Sequence, residues 1–146
     1  FSADSSLAYA DCFGDYYSTG LYMWGFYFME FTAKVQLYIE VMCQSNELEI
    51  PTGVFSATDD KLSDGALLIG CVEEDVDGLY DAYSWYTQLA TESQEAATAP
   101  IVDGVMKISY DEASDTYSVT LDLKDDANNS ITARYEHRII LEDFRI

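Results

Sequence analysis

The sequence predicts an all-β domain: an antiparallel meander of about eight or nine strands closing into a barrel. Three observations carry that expectation. Runs near the end of the chain alternate apolar and polar residues, which puts every other side chain on one side of a pleated strand. The connectors between them, Asp111-Glu112-Ala113-Ser114-Asp115 and Asp125-Asp126-Ala127-Asn128-Asn129, are short and rich in turn formers, as antiparallel neighbours require. No long helical periodicity appears anywhere in the chain.

The elements follow in order. Leu7 to Tyr17 mixes aromatic and small residues and reads as a first strand broken by Gly14, with Ser18-Thr19-Gly20 as a turn. Leu21 to Phe31 carries aromatic residues on both parities, and its aromatic content and Gly25 favour a strand covered on both faces over a buried helix. From Lys34 to Cys43 the apolar set Val35, Leu37, Ile39, Val41 and Cys43 stands opposite Lys34, Gln36, Tyr38, Glu40 and Met42. Pro51 to Phe55 opens a short strand at a position where no ladder donor is needed. Asp59 to Gly65 is a polar loop, Ala66 to Val72 a compact apolar strand and Glu73 to Gly78 an acidic turn. Leu79 to Leu89 reads as one strand, with Tyr83 and Trp85 sharing the parity of both leucines and turned inward, and Tyr80 and Tyr86 turned outward. Thr91 to Ala99 reads as a loop or a short helical turn. The closing strands should bury Met106, Ile108, Val119, Leu121, Ile131 and Ala133, and expose Lys107, Thr120, Asp122, Thr132 and Arg134.

Residues 1–146 suit one such domain, with 49% hydrophobic residues available for a core. A barrel of the calycin or lipocalin kind is preferred to a two-layer β-sandwich, because closure removes exposed sheet edges. Only seven Lys+Arg stand against 27 Asp+Glu, a formal net charge of −20. Such a field repels phosphate backbones and anionic lipid headgroups, so nucleic acid is an unsuitable partner. It also makes stability rise as salt screens the self-repulsion. The longest apolar run, Leu21 to Phe31, is too short for a membrane-spanning helix, so no transmembrane segment is expected. Phe1 in place of an initiating Met suggests a chain trimmed at its start, with an upstream signal peptide or lipid anchor left open.

Chemistry-bearing motifs are few. Cys12, Cys43 and Cys71 match no metal spacing, and an odd count permits one bridge with a leftover thiol, the pairing left open. Cys43 shares the register of Leu37, Ile39 and Val41 and should be a buried thiol. The single His137 sits at a strand end, and no phosphate loop, nucleophile elbow or zinc-helix motif occurs. No cofactor or metal is implied. The acidic clusters Asp59-Asp60, Glu73 to Asp77 and Asp125-Asp126 with Asn128 lack EF-hand spacing and read as solvated turns before they read as Ca²⁺ sites. Paired carboxylates for a hydrolase are available anywhere among so many acids, so a hydrolase has no specific signal. Catalysis is therefore the weaker reading and a binding domain the stronger. Tyr80, Trp85 and Tyr86 are the candidate ligand-binding residues, as part of an aromatic platform with Tyr83 and the Tyr9, Tyr16 and Tyr17 set, for a glycan or a protein. The alternative ligand is a small apolar molecule inside the barrel, beside the two-sided Leu21 to Phe31 run.

Some of these stretches also resemble a known group. Phe13 to Gly20 followed by an aromatic strand, the Pro51-Thr52-Gly53-Val54-Phe55 entry, Gly104 to Ile108, and Asp125-Asp126 through Ile131 and Tyr135 are similar to small secreted or lipid-anchored domains of gut Bacteroidetes, which are uncharacterised in function. The sequence departs from that pattern at Glu136, His137 and Arg138, where a glycine is expected, and lacks an asparagine in the Leu21 to Phe31 strand. The resemblance implies a β-barrel-like or sandwich domain that is secreted or held at the cell envelope. It supplies no catalytic residue.

Overall fold

The computed structural model describes residues 6–44 and 48–145, which form twelve β-strands and no helix. Among them, then, no helix is long and apolar enough to cross a membrane. Strands β1 (Ser6–Gly14), β2 (Tyr22–Glu30) and β3 (Val35–Cys43) pair in sequence as an antiparallel sheet. After them come β4 (Gly53–Thr58), β5 (Ala66–Leu68) and a hairpin of β6 (Cys71–Asp75) with β7 (Gly78–Ala82). The chain continues through β8 (Trp85–Gln88), the long β9 (Ala97–Asp111), β10 (Thr116–Asp125), β11 (Ser130–His137) and β12 (Ile140–Asp143).

Closure comes from two strands that divide their ladders. Strand β3 pairs β8 through Val35–Tyr38 and β5 through Val41 and Met42. Strand β9 pairs β8 through Ala97–Pro100 and β4 through Val105–Ile108. With β4 lying beside β5, the ring β3-β5-β4-β9-β8 is complete. The strands β2, β1 and β12 extend the sheet beyond β3, and β10 and β11 extend it beyond β9. These two wings fold over a shared core, where the Phe28 and Tyr135 rings meet edge to face at 5.7 Å. Ile39, Val41, Leu67, Ile101 and Met106 fill the interior and are fully shielded from solvent.

The all-β, barrel-like architecture is the expected one, but the path through it differs. Twelve strands replace eight or nine, and two pairings, β1 with β12 and β4 with β5, are parallel. Residues 97–99, expected at the end of a loop or short helical turn, form with Pro100 the ladder to β8, and the acidic stretch from Glu73 begins inside β6. In the closing meander, Met106, Ile108, Val119 and Leu121 are buried while Lys107, Thr120, Asp122, Thr132 and Arg134 are exposed. Ile131 and Ala133 are only half-buried, because they face an opening between the wings. Cys12 and Cys43 are buried, and all three cysteines are free thiols.

Leu79 to Leu89 does not form the single strand expected. Tyr83 adopts φ 68°, which ends β7 and re-aims the chain into β8, so parity does not carry across. Leu79 is 75% exposed and Leu89 45%. Directly opposite residues share a sheet face, so Tyr86, opposite Leu37, lies on the core side, and Trp85, opposite Tyr38, lies on the outer side. Both are half-buried, and the Trp85 indole N–H donates to the Ala82 carbonyl at 2.8 Å. Tyr86→Ala should thus cost about 1–3 kcal/mol in chemical denaturation rather than nothing. Trp85→Ala should fall short of the roughly 3–5 kcal/mol of a fully buried ring.

Candidate functional site

The outer face of β1, β2 and β3 carries polar residues in register. Glu142 on β12 pairs with Asp11, Asp11 with Gly25, and Gly25 with Glu40, a row of carboxylates interrupted by a glycine. The adjacent row is aromatic: Tyr9, Tyr27 and Tyr38, the last two with ring centroids 4.5 Å apart. A Cβ at position 25 would lie 2.7 Å from the Tyr38 hydroxyl oxygen, so glycine makes the room in which Tyr38 lies across β2.

Glu40 is the centre of this face and only 8% exposed. The Tyr38 hydroxyl donates to its Oε1 at 2.8 Å, and the Tyr17 hydroxyl to its Oε2 at 2.9 Å. Its backbone N–H donates to Ser84 Oγ at 3.1 Å. Burial pushes the Glu40 carboxyl up, partly offset by the two phenols and by Lys61. Burial and the neighbouring carboxylate likewise raise Tyr17 and Tyr38, which stay protonated as donors.

The β6–β7 hairpin and the turn after it add the second half of the site. Glu73 accepts from the Tyr83 hydroxyl at 2.8 Å and from the Tyr80 hydroxyl at 2.9 Å, and these bonds hold its carboxyl below the ordinary range. Together the parts enclose a pocket of about 280 Å³, with Glu40, Tyr38 and Met23 among its lining. Tyr16, Tyr17, Tyr80, Tyr83 and Glu73 also line it, with Tyr16 61% exposed and Tyr80 43% exposed.

The sequence-predicted residues separate. Tyr80 lines this pocket, as do Tyr16 and Tyr17. Tyr86 instead lines a cleft of about 390 Å³ at the opening between the wings, with Val35, Leu37, Ile131 and Ala133. Trp85 lines neither. Sequence reasoning missed Tyr38, Glu40 and Glu73 as site residues. The alternation of β3 did place Tyr38 and Glu40 on one face, and Gly25 amid aromatic residues marked the space above it.

Groups for covalent chemistry are sparse here. Cys71 lies 3.8 Å from Glu73 Oε1, and burial together with that carboxylate raises its thiol, keeping it protonated. His137 is exposed at the end of β11. Among the described residues no cluster of three or more His, Cys, Asp or Glu side chains is placed to hold a metal ion. Asp125 illustrates how the acidic turns use their carboxylates: it accepts from the backbone N–H groups of Ala127 and Asn129 and from the Asn129 amide.

The edge of the same face responds to pH. Asp11 is 6% exposed, and its Oδ1 has no hydrogen-bond partner among the described residues. Burial first, then its hydrogen bond and proximity to Glu142, push its carboxyl up from 3.8 to about 7. A raised acid favours the native state while protonated. Its contribution is complete below the unfolded pKa and is lost as pH rises toward 7, on the order of 1–3 kcal/mol after allowance for solvent screening. Glu73, Asp125 and Asp143 are shifted the other way, so their contribution is lost only as pH falls below the ordinary carboxylate range. Melting midpoints should therefore fall between about pH 5 and pH 8, and Asp11→Asn should flatten that slope. A wild-type midpoint that rises over the interval contradicts this placement of Asp11 and Glu142.

Comparison of the chain with protein-family models, curated proteins and solved structures finds no match.

Proposed function

We propose that this chain is a non-catalytic binding or accessory domain, secreted or held at the cell envelope, whose ligand enters the acidic tyrosine pocket. The observation that carries the reading is convergence: the Tyr16, Tyr17, Tyr80 and Tyr83 rings and the Glu40 and Glu73 carboxylates line one concavity of about 280 Å³. Rings offer flat apolar faces and carboxylates offer acceptors, a combination suited to a glycan or a protein segment with donor groups. The resemblance to secreted or lipid-anchored domains supports the location.

A glycan array probed with wild type and Tyr80→Ala tests the reading. Tyr80 is exposed and, among the described residues, its hydroxyl bonds to Glu73 alone, so its loss leaves the core intact. Binding that weakens by about ten-fold or more supports the pocket. Equal binding by both proteins removes the ligand from it. A second reading is favoured by the cleft beside Tyr86, whose lining of Val35, Leu37, Ile131 and Ala133 suits a small apolar ligand. An aliphatic probe that binds wild type and is excluded by Ala133→Phe supports that alternative.

A further inference from the structure

We propose that the acidic tyrosine pocket recognises a primary alkylammonium group, and that Lys61 is the protein's own stand-in for that ligand. The inference rests on the pocket being a binding site and names the chemistry it selects. Lys61 projects from the loop between β4 and β5, and its Nζ lies 4.5 Å from the Tyr83 ring centroid and 4.9 Å from that of Tyr17. The Tyr17 distance lies within the range over which an ammonium is attracted to an aromatic face, whereas Tyr83 is met at the hydroxyl edge of its ring. Nζ also donates to the Tyr83 hydroxyl, which itself donates to Glu73. The buried Glu40 and the hairpin's Glu73 both feel the Lys61 charge. The Tyr17 ring face, the Tyr83 phenol acceptor and two nearby carboxylates form an environment for a partly desolvated –NH₃⁺, which needs acceptors and negative potential rather than donors.

The arrangement also leaves Lys61 displaceable. Its side chain is half-exposed and makes no ion pair among the described residues. The loop backbone is fixed without it: Asp60 accepts from the Leu62 N–H at 2.9 Å, and the Ala66 N–H donates to the Ser63 carbonyl at 3.1 Å. A flexible four-carbon stem can therefore swing out while the backbone stays in place. The adjoining pocket then admits an incoming alkylammonium, with the rest of its molecule at Tyr80 and Tyr16. Lys61 becomes an intramolecular competitor that sets a threshold for binding.

The test is calorimetric titration of wild type and Lys61→Met with cadaverine and with N-acetyl-lysine methylamide. Work in about 0.15 M NaCl confines the field of remote carboxylates to roughly 8 Å. Lys61→Met should bind at least one amine about ten-fold more tightly than wild type, and adding Glu73→Gln should reverse the gain. Pentanol, of similar shape without the charge, should not bind. Preference for the lysine derivative identifies a lysine-bearing polypeptide as the source, and preference for cadaverine a free polyamine. Near-UV circular dichroism establishes that the variants fold, with Lys61→Gln as a second substitution if Lys61→Met does not. Folded Lys61 variants that bind amines no better than wild type overturn the inference, as does a gain that survives Glu73→Gln. If the glycan binding lost in Tyr80→Ala is present while amines fail, only the ammonium chemistry is wrong. If both fail, the pocket itself is wrong.

Discussion

Gly104→Ala should destabilise the domain by at least about 3 kcal/mol, a large fraction of the total for a chain of this size. Gly104 holds φ +116° in the middle of β9, a conformation side-chain-bearing residues rarely adopt. An added Cβ would stand 2.2 Å from the Asp122 carbonyl oxygen and 2.6 Å from the Leu123 Cα, both backbone atoms of the paired β10. No rotamer change can relieve such contacts, so the β9–β10 ladder must separate at Asp122 and Leu123, next to the register shift at Lys124 and Asp125. Backbone strain alone costs about 1–3 kcal/mol, and the displaced ladder adds to it. Urea unfolding measures the sum. A midpoint unchanged from wild type would mean that β9 does not bend at Gly104 as described.

Phe28→Ala should cost about 3–5 kcal/mol, as expected for a fully buried ring whose site cannot collapse. Phe28 stacks on Phe26 at 6.1 Å and meets Tyr135 across the core, so it ties the β2 wing to the β11 wing. Tyr135→Phe keeps that ring contact and removes only the hydroxyl that donates to the Arg138 carbonyl, so its cost should be nearer 1 kcal/mol. The ordering of the two variants matters more than either value. Equal losses would place the stabilisation in the corner at Arg138 rather than in closure of the wings.

The closing meander was legible because its faces differ: Val119 and Leu121 enter the core while Thr120 and Asp122 meet water, and that contrast is written directly in residue order. Strand β2 was legible for the opposite reason, since Trp24, Phe26 and Phe28 pack inward while Met23 packs into a second cluster with Met42 and Leu68. The break at Tyr83 left no signal, because a tyrosine at positive φ looks like any other tyrosine in a sequence. Leu79 and Leu89 then misdirected the parity, as exposed leucines are common on protein surfaces. The parallel β1–β12 pair joins strands at opposite ends of the sequence, which no local periodicity encodes.

The pocket lay further from view. Tyr17 follows β1, Tyr38 and Glu40 stand on β3, Lys61 on a loop, Glu73 on β6 and Tyr83 after β7. Only Tyr38 and Glu40 are close enough in sequence for a shared face to be inferred. The others converge because the β6–β7 hairpin and the turn after it present Glu73, Tyr80 and Tyr83 beside β3, where no spacing rule reaches.

A crystallographic soak with a mixed fragment set of sugars, alkylamines and short aliphatic acids tests most directly whether the acidic tyrosine pocket is where this domain binds. Fragment density should appear against the Tyr80 and Tyr83 rings, with polar atoms within hydrogen-bond distance of Glu73 or displacing the Lys61 ammonium. Fragments gathered in the cleft between Tyr86 and Ile131, with the tyrosine pocket empty, would contradict it.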